Sequence, residues 1–97
     1  MAGMTLSTHV LDTEHGTPAG GVRVAVYYDA ALVGEGVTGD DGRISELAAG
    51  PAGTYLVVFH PPSPFFRRVE LEVSLDDGHH HIPLLVSSYA CATYRGS

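Results

Sequence analysis

Three consecutive histidines, His79-His80-His81, carry the strongest chemical signal in this sequence of 97 residues. The segment around them reads as a β-strand, in which alternate side chains share a face. His79 and His81 therefore point one way and His80 the other. Imidazole is the side chain most easily tuned to gain and lose a proton near neutrality, and in its neutral form it also ligates metals. The residues alone leave three uses open: a polar, solvent-facing strand, a zinc site completed by a third ligand such as His9, or a metal-free acid–base histidine. No cysteine completes a zinc set, and the helical His-Glu metal signature is absent from the sequence. His9 lies in the first expected strand, where it is either structural or a partner of His81. Arg43 follows the turn Gly39-Asp40-Asp41-Gly42. It either solvates that turn or offers a planar donor fork to a carbonyl-rich ligand. The lone Cys91 reads as a buried, inert thiol, and His15 and His60 read as solvated turn residues. The sequence closes on Tyr94-Arg95-Gly96-Ser97. Its last residue is either a plain terminus or a hydroxyl and carboxylate placed in a site.

The elements that must position these groups follow from period-two patterning. Leu6 to Asp12 alternates as a strand, and Val22 to Tyr28 is the clearest one, rich in β-branched and aromatic residues. Asp29-Ala30-Ala31 is short enough for a hairpin leading into Leu32 to Thr38. Arg43 to Leu47 reads as a short strand or a single helical turn, and Thr54 to Phe59 as a strand. Arg68 to Leu75 alternates strictly, with Val69, Leu71, Val73 and Leu75 inward and charges outward. His79 to Val86 is a strand containing Pro83, which predicts an edge or a bulge there. Turn clusters rich in Gly, Pro and Asp separate these runs. Seven or eight short strands spaced by turns predict an antiparallel β-sandwich with Greek-key connections and at most one short helix.

Composition bounds the function. The chain is long enough for one domain, taken as residues 1–97, and its 44% hydrophobic content is that of a globular protein. Five basic against eleven acidic residues give a net charge of −6, without a single Lys. Phosphate contacts and anionic bilayers both need cations, so no nucleic-acid or membrane partner is expected. No apolar run reaches the roughly 20 residues of a membrane span, and the first ten residues lack a signal-peptide pattern. With one cysteine, a reducing, cytoplasmic setting is the expectation.

Four separated motifs, in order, resemble the transthyretin-like family. They are Ser7-Thr8-His9-Val10-Leu11-Asp12 followed by His15-Gly16 and Pro18-Ala19, then Asp41-Gly42-Arg43, then His79-His80-His81-Ile82-Pro83-Leu84-Leu85, and finally Tyr94-Arg95-Gly96-Ser97. The last of these is similar to the tetrapeptide that marks the 5-hydroxyisourate hydrolases of that family. The resemblance implies a prealbumin-like sandwich of two four-stranded antiparallel sheets, assembled as a homotetramer with sites between subunits. It implies ring opening of 5-hydroxyisourate to 2-oxo-4-hydroxy-4-carboxy-5-ureidoimidazoline, without a cofactor or metal. It carries the active residues onto His9, Arg43, His81 and the tail from Tyr94 through Arg95 and Gly96 to Ser97. The sequence departs from the family pattern after Leu85, at Ser87 to Thr93, and His80 stands where Tyr is common.

On this reading His9 and His81 divide the work of base and acid or orienter, and Arg43 takes up developing negative charge. Ser97 holds the water or fixes a His tautomer, and Tyr94 contacts the substrate. The competing expectations are a transthyretin-like small-ligand carrier without catalysis, and a zinc hydrolase built on His9, His79 and His81. The polar lining speaks against the carrier, and sensitivity to a chelator separates out the zinc enzyme.

Overall fold

A computed structural model describes residues 3–96, which form nine strands. These are β1 (Met4–Asp12), β2 (Thr17–Pro18), β3 (Arg23–Tyr28), β4 (Ala31–Val37), β5 (Arg43–Gly50), β6 (Gly53–His60), β7 (Val69–Leu75), β8 (Gly78–Val86) and β9 (Cys91–Thr93). One sheet runs β4-β3-β6-β7, antiparallel throughout. The other runs β2-β1-β8-β9, with β5 also paired to β1. The expected two-sheet sandwich is therefore present, and no helix occurs among the described residues. Two details go beyond two four-stranded antiparallel sheets. The two-residue strand β2 brings the second sheet to five strands, and β1 runs parallel to β8.

Alternation explains the packing. Met4, Leu6 and Val10 of β1, Val24 and Val26 of β3, Val57 and Phe59 of β6, and Ile82, Leu84 and Val86 of β8 are buried between the sheets. In β7, Leu75 is buried and Val69, Leu71 and Val73 pack half-buried against that core, as their alternation predicts. Arg43 to Leu47 begins a full strand rather than a helical turn. The β3–β4 hairpin closes through Asp29 and Ala30, both left-handed (φ 51° and 63°), the twist a two-residue hairpin needs.

Pro83 lies in an inner strand, bordered by β1 along its length and by β9 over Leu84–Val86. Backbone groups of alternate residues point to the same side, and the His81 carbonyl accepts from Gly96 N–H, away from β1. The missing N–H of Pro83 therefore faces the side where the β9 ladder has ended, and the β1 ladder loses nothing. The expectation of an edge holds for this side of the strand at this position and not for β8 as a whole.

Candidate active site

The parallel register sets Thr5 opposite His79, Ser7 opposite His81, and His9 opposite Pro83. Antiparallel pairing on the other side of β1 sets Arg43 opposite His9. The inner faces of β1 and β8 are apolar, so by alternation Thr5, Ser7, His9, His79 and His81 share the outer face. Three of the sequence-expected residues, His9, Arg43 and His81, are thereby gathered from three strands. The His9 and His81 rings lie 6.5 Å apart, centroid to centroid.

Two local devices deliver Arg43. The turn before it docks on β1, where Val10 N–H donates to the Gly42 carbonyl at 2.8 Å. Gly42 is left-handed (φ 78°), and a methyl group there would collide with the Val10 carbonyl oxygen. Gly42→Ala is expected to destabilise the fold by about 1–3 kcal/mol. Thermal unfolding read by circular dichroism checks this; an unchanged midpoint would remove the turn's role. The second device is an irregularity in β5. Thr8 pairs Ile44 while Leu6 pairs Ala48, so Ser45–Leu47 bulge out opposite Ser7. Bulges of this kind break the ladder and re-aim side chains. Here the bulge borders a shallow depression of about 160 Å³ lined by Ser7, Thr8, Arg43, Ile44, Ser45, His79 and His81.

A chain of polar contacts runs through that face. Thr5 Oγ1 lies 2.8 Å from His79 Nδ1, Ser7 Oγ 3.0 Å from His79 Nε2, and the same Ser7 Oγ 2.8 Å from His81 Nδ1. Ser7 is only 8% exposed although it points outward, because the two imidazoles flank it. His81 is half-buried, and its pKa is pushed below the ordinary imidazole value. Partial burial is the main cause, followed by the nearby Arg43 guanidinium and then by His9 and His79. The ring is therefore held neutral around neutrality, with a lone pair available to accept a proton. Arg43 makes no ion pair among the described residues, so its fork is free to meet an incoming oxygen.

His80 takes no part. It is buried on the inner face, its Nε2 2.8 Å from the Asp76 carbonyl. His15 is an exposed turn residue bound to Asp12 at 2.8 Å, and this carboxylate raises its pKa. His60 ends β6 exposed. Cys91 is half-buried, and burial pushes its thiol pKa up, in keeping with an inert group.

The tail divides. Gly96 N–H donates to the His81 carbonyl at 2.7 Å, and a Cβ at Gly96 would sit 2.8 Å from His81 Cδ2. Only a residue without a side chain lets the tail lie this close over the ring. Tyr94 and Arg95 instead line a separate cleft of about 480 Å³ with Glu70, Leu71, His80 and Ile82. Within one chain they are not brought onto the His9–His81 face. Ser97 lies outside the described residues. Sequence reasoning missed Ser7 and Thr5. Alternation along β1 ties both to His9, and only the pairing of β1 with β8 reveals that they touch imidazoles.

Two sheets packed face to face, with histidines and an arginine on the outer face of one, define a prealbumin-like sandwich bearing a polar cluster of titratable side chains. The chain belongs to the HIUase/Transthyretin family, whose sequence profile matches residues 6–96. It is 39% identical to 5-hydroxyisourate hydrolase 2 of Rhizobium meliloti, the alignment covering 95% of each chain. Among solved structures it is similar to the 5-hydroxyisourate hydrolase of Klebsiella pneumoniae, with TM-score 0.87 and 34% identity over 97% of this chain and 99% of that one. It is also similar to transthyretin from Sparus aurata, with TM-score 0.81 and 29% identity over 94% and 95% of the two chains.

Proposed function

We propose that this protein is a 5-hydroxyisourate hydrolase, opening the substrate ring with water to give 2-oxo-4-hydroxy-4-carboxy-5-ureidoimidazoline in urate breakdown. The observation that carries the reading is the meeting of His9, His81 and Arg43 on one sheet face, with His81 held neutral. Ring opening of a cyclic amide needs a base for water, a cation for the developing oxyanion and an acid for the leaving nitrogen. His81 supplies proton transfer, His9 orients the reacting groups beside it, and Arg43 supplies the planar cation. The closeness of Gly96 to His81 supports an approach of the tail to the site. A binding protein for an apolar ligand fits this polar face poorly.

Among the described residues no three His, Cys, Asp or Glu side chains converge as a metal site, and His79 and His81 each turn a ring nitrogen to Ser7. We read the chemistry as metal-free and the chain as a single domain, a reading the chelator experiment below tests. It extends to a cytoplasmic homotetramer with sites between subunits, supported by the family resemblance. No helix among the described residues is long and apolar enough to cross a membrane.

The test is the decay of freshly generated 5-hydroxyisourate, followed by its ultraviolet absorbance with excess EDTA present. Decay well above the spontaneous rate supports the reading. Decay at the spontaneous rate with EDTA, restored by added zinc, would replace it with a metal enzyme, and a spontaneous rate in both would leave a carrier. The pH dependence follows from the His81 shift. A lowered folded-state pKa keeps the base neutral at pH values where a free imidazole is half protonated. The acid limb of kcat/KM, which reports the free enzyme, is therefore expected below the ordinary imidazole value of about 6.5, activity falling as pH falls through it. A limb at or above that value would contradict His81 as the base.

A further inference from the structure

We propose that Ser7 and His79 are positioning residues that form a proton relay behind His81, carrying the charge of the reaction away from Arg43. The proposal rests on the functional reading above and deepens it. The sequence Thr5 Oγ1, His79 Nδ1, His79 Nε2, Ser7 Oγ, His81 Nδ1 is continuous, with contacts of 2.8, 3.0 and 2.8 Å. A serine hydroxyl has one proton to donate, so it cannot donate to both imidazoles at once. One of them must donate to it. When Ser7 accepts from one ring and donates to the other, the chain has a direction, and fixing that direction fixes the tautomer of His81.

A base at His81 Nε2 requires the proton on Nδ1. His81 Nδ1–H then donates to Ser7 Oγ, Ser7 O–H donates to His79 Nε2, and His79 Nδ1–H donates to Thr5 Oγ1. In the reaction, His81 Nε2 takes a proton from water as the water oxygen bonds to the ring carbonyl carbon. The carbonyl π electrons move onto its oxygen, beside Arg43. An imidazolium at His81 is opposed by its partial burial, by Arg43 and by the His9 and His79 rings. The relay removes the charge. The Nδ1 proton passes to Ser7, and the Ser7 proton passes to His79 Nε2. His81 is left neutral with its proton on Nε2, and the positive charge sits on His79.

His79 suits that role because it is exposed, and Glu46 lines the same surface depression beside it. When the oxyanion collapses and the ring C–N bond breaks, His81 Nε2 gives its proton to the leaving nitrogen. His79 returns one through Ser7 to Nδ1, and the chain is back in its first state. The same ring nitrogen thus serves as base and then as acid, without holding a charge between the two steps.

The test uses the full chain and three variants. Ser7→Ala cuts the relay. His79→Gln keeps a hydrogen-bonding group near Ser7 but cannot accept a proton. Ser7→Thr keeps the hydroxyl. Ser7→Ala and His79→Gln are each expected to lower kcat by about tenfold to a hundredfold, within the range of positioned proton transfer, with KM changed less than about twofold. Ser7→Thr is expected to retain most of kcat. Nitrogen-15 spectra of the imidazoles, which need no substrate, are expected to show neutral His81 protonated at Nδ1 in the native protein and to lose that pattern in Ser7→Ala. His79 is exposed, so His79→Gln is expected to fold even if Ser7→Ala does not. Native kcat in His79→Gln would overturn the relay, and His81 protonated at Nε2 in the native protein would overturn its direction. A native protein that does not hydrolyse 5-hydroxyisourate at all would defeat the functional reading instead, while the nitrogen-15 pattern would still report whether the chain is ordered as argued.

Discussion

Replacing His81 by alanine lowers kcat by about 10²–10⁴-fold, the usual contribution of a positioned acid–base group, and leaves the sandwich folded. The side chain lies half-buried on the outer sheet face, while the core on the other side of β8 consists of Ile82, Leu84 and Val86. Removing it therefore opens no void between the sheets. His9→Ala is expected to lose activity on the same scale, since its ring is the other imidazole of the pair. Groups that act as a unit lose their effects together. The double variant is accordingly expected to fall well short of the product of the two single losses. Steady-state rates with each purified variant, beside a thermal melt, make the comparison. Near-native turnover in both single variants would remove the two histidines from the chemistry.

Arg43→Ala is the second large effect, and it has two readouts. The first is the rate. A preorganised donor facing a developing oxyanion contributes about 10²–10³-fold in kcat. Arg43→Lys restores part of this, because an ammonium keeps the charge and loses the planar fork. The second is the pH profile. The guanidinium is one of the causes that lower the His81 pKa. Removing a positive neighbour makes protonation of the imidazole easier, so that pKa rises. The neutral base is then lost at a higher pH, and the acid limb moves up. Burial, the larger cause, remains, so the limb does not return the whole way to the free imidazole value. A slower enzyme with an unmoved limb would place Arg43 on the substrate and away from His81.

The sequence carried the local part of this site. Period-two alternation put His79 and His81 on one face and His80 on the other, and His80 is indeed buried against Asp76. The same rule tied Ser7 to His9. The strictly alternating Val69 to Leu75 marked a core-facing strand before any partner was known. Local pattern could not supply the partners themselves. Alternation is blind to which strand lies beside which, so the parallel pairing of β1 with β8 was not legible, and neither was the place of Ser7 between two imidazoles. Pro83 showed the same limit. Its missing donor announced an open side of the strand, and only the topology showed that this side lies where the β9 ladder stops. The glycine ahead of Arg43 marked a turn, but its close approach to Val10 needed the fold.

The pairing of β1 with β8 joins Ser7 to His81 across 74 positions of sequence. A ribosome adds about 5–20 residues per second, so β1 waits roughly 4–15 s for the strand that completes it. During that interval the β8-facing edge of β1 is unpaired and Met4, Leu6 and Val10 lack their cover from β8. Exposed strand edges of this kind recruit other chains. Newly made protein is thus most prone to self-association before β8 emerges. Enzymatic activity is a late reporter, absent from every nascent chain that has not yet released its histidines.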